Sequence, residues 1–183
     1  MNKGVKIVAI VGMPGVGKSV AADFFRNKGI PVFRFGDQTD IGLKELGKDI
    51  SEANERWYRE KIRQELGMAA MAIKIEPRIL EEAKTHSIIA LDGLYSWEEY
   101  LYLIEKFPEI QLLCIYAKPE LRYLRLEHRP VRPLLQKVAR DRDFAEIQNL
   151  NKGGPIAISD YLIKNESTKE EFYEELEQFF TFL

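Results

Sequence analysis

Cysteine is nearly absent from this chain. Its 183 residues carry one, Cys114, set in the apolar run Leu112–Tyr116. A single thiol excludes an internal disulfide, and its apolar setting assigns it to core packing. Histidine is almost as scarce. His86 and His128 stand far apart and have no partners at metal-ligand spacing, so no transition-metal site is expected. A basic excess is missing too: 27 lysines and arginines face 29 aspartates and glutamates, for a net charge of −2 and a pI near 5.9. Neither nucleic acid nor a membrane surface is therefore an expected partner. Long apolar runs are lacking. Met1–Lys6 leads only into a short apolar stretch before Gly12, too little for a secretory signal, and nothing approaches a membrane span. The cytoplasm is the expected compartment.

What is present is an alternation of strand and helix signals along one domain, residues 1–183. Val5–Val11 is a continuous apolar run stopped by a glycine-rich turn, the pattern of a buried parallel strand. Lys18–Asn27 reads as a helix, and Pro31–Phe35 as a short strand ended by Gly36-Asp37. Ile41–Ala83 reads as mostly helical, broken near Lys48–Ser51, Gly67 and Pro77. Ser87–Leu91, Ile110–Tyr116 and Tyr161–Lys164 read as strands. Helices are expected over Ser96–Lys106, with a Ser96–Glu99 capping box, over Pro119–His128, over Leu134–Asn149 with Pro133 in its first turn, and over Lys169–Phe180. Asn151–Pro155 reads as a loop. Five strands joined by helices predict an α/β fold: a five-stranded parallel sheet flanked by helices, with ligands beyond the carboxyl ends of the strands. Gly12–Ser19, Asp37 and Asp92 all fall at those ends.

Gly12-Met13-Pro14-Gly15-Val16-Gly17-Lys18-Ser19 fits the phosphate-loop pattern G-x-x-x-x-G-K-[ST], with a strand before it and a helix after it. In such a loop glycines let backbone N–H groups turn inward around phosphate oxygens, at the positive end of the following helix. Lys18 then serves the β- and γ-phosphates of ATP, and the Ser19 hydroxyl serves Mg²⁺. The cofactor-binding set is Gly12, Gly15, Val16, Gly17, Lys18, Ser19 and Val20. Asp92, ending a strand, fits either the Mg²⁺ shell or an ordinary Asp-Gly turn.

These marks, with Gly36-Asp37, Arg125–Arg129, Arg140–Asp143 and Asp160–Glu166, resemble the nucleoside-monophosphate-kinase and dephospho-CoA-kinase branch of P-loop proteins. The resemblance spans nearly the whole chain and is nearest to the adenylate-kinase-related proteins best known from archaea. It implies a helical acceptor-binding insert at about 40–84 and a lid at about 129–148. It implies that Arg125 stacks on adenine, that Arg129 reaches the phosphates, and that Arg140 and Arg142 close over the transferred group. With Lys18 and Asp37 these make up the implied catalytic set. Because Asp141 and Asp143 stand among the lid arginines, surface ion pairs are the competing reading. Asp37 is open to three roles: orienting the acceptor, acting as general base for a hydroxyl, or closing a turn.

Two positions depart from the adenylate-kinase pattern. Asp40 and Tyr95 stand where arginines gripping an acceptor phosphate are expected, and Arg56, Arg59, Arg63 and Arg78 in the insert are candidate replacements. Trp57 and Tyr58 are read as insert packing ahead of base stacking, and Met68 and Met71 as helix packing. The function expected is transfer of the γ-phosphate of ATP, with Mg²⁺, to a nucleotide-like small molecule. The alternative is an ATP-binding regulator or assembly factor with weak ATPase activity.

Overall fold

Strand β1 (Lys6–Val11) shows why its run is apolar throughout. Ile7, Ala9 and Val11 bury into one hydrophobic layer, while Val8 and Ile10 bury into the layer on the opposite face of the sheet. A strand covered on both faces has no polar side to show. The computed structural model describes residues 4–183. After β1 come α1 (Lys18–Asn27), β2 (Val32–Arg34), and three helices α2 (Asp37–Glu45), α3 (Glu52–Leu66) and α4 (Ala70–Glu82). Then follow β3 (Ile88–Asp92), α5 (Trp97–Lys106), β4 (Gln111–Tyr116), α6 (Pro119–His128), α7 (Gln136–Leu150), α8 (Gly153–Ala157), β5 (Tyr161–Lys164) and α9 (Lys169–Phe180). Among the described residues the five strands form one parallel sheet in the order β2-β3-β1-β4-β5. β1 sits in the middle with β3 beside it, so Asp92 lies level with Ile10, at the mouth of the phosphate loop.

The layer holding α1 and α9 closes on an aromatic cluster in which Phe24, Phe25, Phe179 and Phe180 meet edge to face. Fully burying a phenylalanine of this kind contributes about 1.5–3 kcal/mol. The other layer is filled by α5 and by the insert, which supplies Leu43, Tyr58, Ile62, Ile75 and Ile79. Gly42 in α2 is required there: a Cβ would stand 2.0 Å from the Tyr58 ring, so the two helices meet only because that position is bare. Tyr58 is thus packing, as expected. Trp57 stays 40% exposed with the Lys48 ammonium over its ring.

Several boundaries differ from the sequence expectation. The insert begins at Asp37, which sits in the first turn of α2 instead of closing β2. Pro77 lies inside α4 and does not break it. Proline costs a helix one backbone hydrogen bond, and α4 offsets that by burying Ala70, Met71, Ala72, Ile75 and Ile79. Helix α7 starts at Gln136 with Leu135 as N-cap, so Pro133 precedes it. The expected loop at 151–155 contains the start of the short helix α8, entered through Asn151 in the left-handed region at φ 50°. The Ser96–Glu99 capping box forms as read.

Candidate functional site

The phosphate loop joins β1 to α1 at the carboxyl edge of the sheet, and its backbone dictates its glycines. Gly12 (φ 138°) and Gly17 (φ 101°) occupy conformations that side chains rarely adopt. A Cβ at Gly12 would meet the Ile115 carbonyl oxygen at 2.3 Å, and one at Gly17 the Asn165 amide nitrogen at 2.4 Å. Gly15 backs onto the Arg122 carbonyl in the same way, and Val16 is buried beneath the loop. The loop's backbone is therefore held by its neighbours in an open, inward-facing curl.

Lys18 folds over that curl. Its Nζ donates to the carbonyl oxygens of Gly12 at 2.9 Å and Met13 at 3.2 Å. Burial, and next the nearby Lys152, push its ammonium down to about 7, against the opposing pull of Asp92 and Glu146. An ammonium under this strain gains most from an anion placed beside it. Ser19 is exposed in the first turn of α1. Asp92 is 6% exposed, and burial raises its carboxyl above the ordinary range while Lys18 and Arg34 draw it back. The described residues contain no group of three or more His, Cys, Asp and Glu able to hold a metal. The hard oxygens of Ser19 and Asp92 fit a magnesium ion that completes its shell from phosphate and water. They do not make a self-sufficient metal site.

Beside the loop, a cavity is lined by Gly17, Val20, Arg125, Asn165, Ser167, Lys169 and Phe172. Arg125 is fixed on its wall, donating through Nη1 to the Asn165 carbonyl at 3.0 Å. Asn165 in turn donates to the Val16 carbonyl at 2.7 Å, so one side chain ties the cavity to the phosphate loop. Arg125 and Val20 thus face one cavity beside the phosphate loop. Asn165 was legible only as part of the Asp160–Glu166 stretch.

The arginines of the expected lid separate. Arg142 donates to Glu146 Oε1 at 2.7 Å, and Glu146 also accepts from Lys152. Burial opposes the Glu146 charge, but Lys152 and Arg142 outweigh it and hold the carboxylate below its usual range. Lys152 is 2% exposed, with its ammonium 4.8 Å from the centre of the Tyr95 ring. Arg129 donates to the Arg132 carbonyl at 2.5 Å. Burial, and then the Arg142 and Arg132 charges, lower its pKa. Arg140 lies exposed over the Phe144 ring, on the side of α7 away from Arg142. The suspected ion pairs are real but differently partnered: Asp143 binds Arg122 of α6, and Arg142 binds Glu146. Asp37 opens α2 just beyond β2, 43% exposed and 3.8 Å from Arg34 Nη1. Tyr95 folds back over Gly93, and burial and then Asp92 push its hydroxyl up to about 12, so it stays protonated. Lys152, Glu146 and Arg132 were missed in the sequence. An Arg142–Glu146 spacing of four residues was the available signal for Glu146, whereas Lys152 sits in a short glycine-flanked stretch with no signal at all.

Comparison with known proteins bears on the fold and the family. The family described as an AAA domain matches residues 8–148. A UPF0200 protein of Pyrococcus abyssi is 33% identical over 175 residues, 93% of each chain. One of Sulfurisphaera tokodaii is 33% identical over 177 residues, 95% of each. Among solved structures, TT1252 of Thermus thermophilus superposes with a TM-score of 0.70 at 17% identity, covering 98% of both chains. A shikimate kinase of Bacteroides thetaiotaomicron gives 0.61 at 12%, covering 96% of this chain and 98% of that one. A gluconokinase of Sinorhizobium meliloti gives 0.54 at 13%, covering 96% and 91%. At those identities the solved structures speak to the fold, which is that of P-loop kinases. With relatives matched along nearly its whole length, the chain belongs to the UPF0200 family.

Proposed function

We propose that this protein is an ATP- and Mg²⁺-dependent kinase that moves the γ-phosphoryl group to a small, nucleotide-like acceptor. The observation that carries this reading is the phosphate loop itself, with Lys18 folded onto the Gly12 and Met13 carbonyls and Asp92 level with Ile10 on the neighbouring strand, while the charges of Arg142 and Arg129 act on one another nearby. A protein that only binds ATP needs the loop. Guanidiniums set beyond it serve a group in transfer, whose charge spreads over three equatorial oxygens.

The chain's residues then have distinct tasks. Backbone N–H groups of Gly15–Ser19 hold the phosphate oxygens, and Lys18 exchanges its two carbonyl partners for phosphate. Arg125 and Val20 line the seat of the base. Ser19 and Asp92 would hold Mg²⁺, which supplies charge neutralisation between the β- and γ-phosphates. Arg142, held by Glu146, and Arg129 stabilise the moving group. Asp37 lies on the acceptor side. It takes a proton if the acceptor presents a hydroxyl and orients the acceptor if it presents a phosphate.

A regulator with weak ATPase activity is the second reading. Asp40 and Tyr95 favour it, since neither can grip an acceptor phosphate as arginine does. A coupled measurement of ADP formation over nucleoside monophosphates, nucleosides and dephospho-CoA separates the two. Stimulation by a small acceptor supports the kinase. Stimulation only by a macromolecule supports the regulator.

A further inference from the structure

Four arginines of the insert are available to meet an acceptor, and the structure sorts them. Arg56 is exposed and bound to Glu60 on the outer side of α3. Arg78 lies against the Phe33 ring, 4.5 Å from its centre. Arg59 and Arg63 differ. With Glu55 they follow at intervals of four along α3, which stacks all three on one helix face. That face meets the segment ahead of α7: Arg132 Nη2 donates to Glu55 Oε1 at 3.1 Å, and Arg59 Nη1 donates to Glu55 Oε2 at 3.4 Å. Arg132 reaches across with its own backbone in the left-handed region, at φ 52°.

The stripe is short of negative charge. Two arginines four residues apart on one helix face repel each other. Glu55 serves Arg59 and Arg132 and leaves Arg63 without a carboxylate in hydrogen-bonding reach. The Arg63 Nε is buried and has no hydrogen-bond partner among the described residues. A buried donor left unpaired costs about 1–3 kcal/mol, more when charged, and calls for a specific explanation such as strain, a catalytic role or a bound water or ion. Burial lowers the Arg63 pKa most and the Arg59 charge lowers it further, while the charges of Glu99 and Glu60 raise it without a hydrogen bond to it among the described residues. At the other end, the Arg132 carbonyl accepts from Arg129 Nε at 2.5 Å, so a second arginine borders the same segment.

We infer that the Glu55–Arg59–Arg63 face of α3, closed over by Arg132, seats an oxyanion carried by the acceptor itself, and that Glu55 occupies these donors until the oxyanion takes them. The inference rests on the kinase reading above and adds the class of acceptor: a molecule bearing a phosphate or carboxylate at some distance from the group that is phosphorylated. On binding, the oxyanion takes the donors of Arg59 and the free Nε of Arg63, and Arg132 moves its contact from Glu55 to the ligand. Planar guanidiniums suit this exchange, because each presents paired N–H groups to two oxygens.

The test uses the full chain saturated with Mg²⁺ and a non-hydrolysable ATP analogue, so that the phosphate loop is filled. Inorganic phosphate is then titrated and followed by ³¹P NMR. Wild type is expected to bind one further phosphate saturably. Arg59→Gln and Arg63→Gln should each weaken that binding by about 10- to 100-fold, as loss of a charged hydrogen bond does. Arg59→Lys should fail to restore it fully, and the outward-facing Arg56→Gln should leave it unchanged. Glu55→Gln, which removes the internal competitor, should tighten it by about two- to fivefold. Analogue binding, unchanged in every variant, reports that each is folded. Displacement of the phosphate by a nucleoside monophosphate assigns the oxyanion to a phosphate, and displacement by gluconate assigns it to a carboxylate. Phosphate binding that ignores Arg59 and Arg63, or no second-site binding at all, overturns the inference alone. Failure of the analogue itself to bind wild type overturns the kinase reading, and the inference with it.

Discussion

Arg122 and Asp143 face each other in a buried two-point ion pair, with Nη1–Oδ1 at 3.1 Å and Nη2–Oδ2 at 2.6 Å. Arg122 also donates to the Pro14 carbonyl at 3.0 Å, and Tyr123 adds its hydroxyl to Asp143 at 2.9 Å. One side chain thus ties the phosphate loop to helix α7. The residue before Asp143 is Arg142, so the pair fixes the helix that carries Arg142. Together with Glu146–Lys152 it anchors the expected lid, from Ala139 onward, to the body of the protein.

Breaking this pair should be expensive. Arg122→Met or Asp143→Asn each leaves a buried group uncompensated, and each should cost about 3–5 kcal/mol in unfolding free energy. Replacing both with apolar residues should cost less than the two single changes summed. Denaturant unfolding of the three variants checks this. Single changes below about 1 kcal/mol would show that the pair does not anchor α7.

The two arginines of α7 should behave differently. Arg142→Ala is expected to lower kcat by about 10²–10³-fold, the range for removing one donor to a developing charge. Arg140→Ala, which removes only a contact with Phe144, should leave kcat within about twofold. Steady-state ADP formation reads both. Equal losses would mean that α7 rotates during the reaction.

The buried Glu99 gives a pH signature of stability. It accepts backbone N–H groups from Tyr95 at 2.8 Å and Ser96 at 3.1 Å, yet burial still pushes its carboxyl up from 4.5 to about 7. The folded state therefore holds a proton that the unfolded chain releases. Its contribution is full below pH 4.5 and declines as pH rises through 7, by up to about 3 kcal/mol. Glu99→Gln keeps an oxygen for the cap and cannot ionise. Its stability relative to wild type should therefore climb between pH 4.5 and 7. A flat difference across that window contradicts the assignment.

How far the sequence could be read depended on whether a signal was local. β1, the phosphate loop and α1 were legible because strand, glycines and helix follow one another within Val5–Asn27. The Ser96 cap needed only four residues. Asp92 was placed correctly because it ends an apolar run, and the strand order then set it beside β1. What stayed hidden depends on contacts between distant segments. Arg122 with Asp143, Lys152 with Tyr95 and Glu55 with Arg132 join residues 21 to 77 positions apart. Helix α7 hid its faces for another reason: it is buried along a narrow line through Ala139, Asp143 and Glu146 and carries apolar side chains outward, so no amphipathic period marks it. Pro77 misled because tertiary burial outweighed a local break.

Lys18 should take up a proton when nucleotide binds. Its ammonium is pushed down to about 7, chiefly by burial. Phosphate oxygens beside it favour the charged form and raise that value. At pH 8 most of the free protein has lost this proton and regains it on binding, whereas at pH 6 it is already present. Calorimetric titration of the Mg²⁺–ATP analogue in two buffers of different ionisation enthalpy measures the difference. Uptake approaching one proton at pH 8 and close to none at pH 6 is expected. Lys18→Ala should abolish the pH dependence.

The central claim is transfer to a small acceptor, and ADP formation tests it most directly. Wild type, Lys18→Ala and Asp37→Asn are assayed with Mg²⁺–ATP, with and without each of a panel of nucleoside monophosphates, nucleosides and dephospho-CoA. At least one nucleotide-like acceptor should raise wild-type turnover well above slow hydrolysis. Excess chelator and Lys18→Ala should both remove that turnover. A loss of about 10²–10⁴-fold in kcat for Asp37→Asn marks a hydroxyl acceptor that needs a base, and a raised KM marks a phosphate acceptor. If no acceptor lifts turnover above hydrolysis while a macromolecular partner does, the protein is an ATP-driven regulator and the kinase account is wrong.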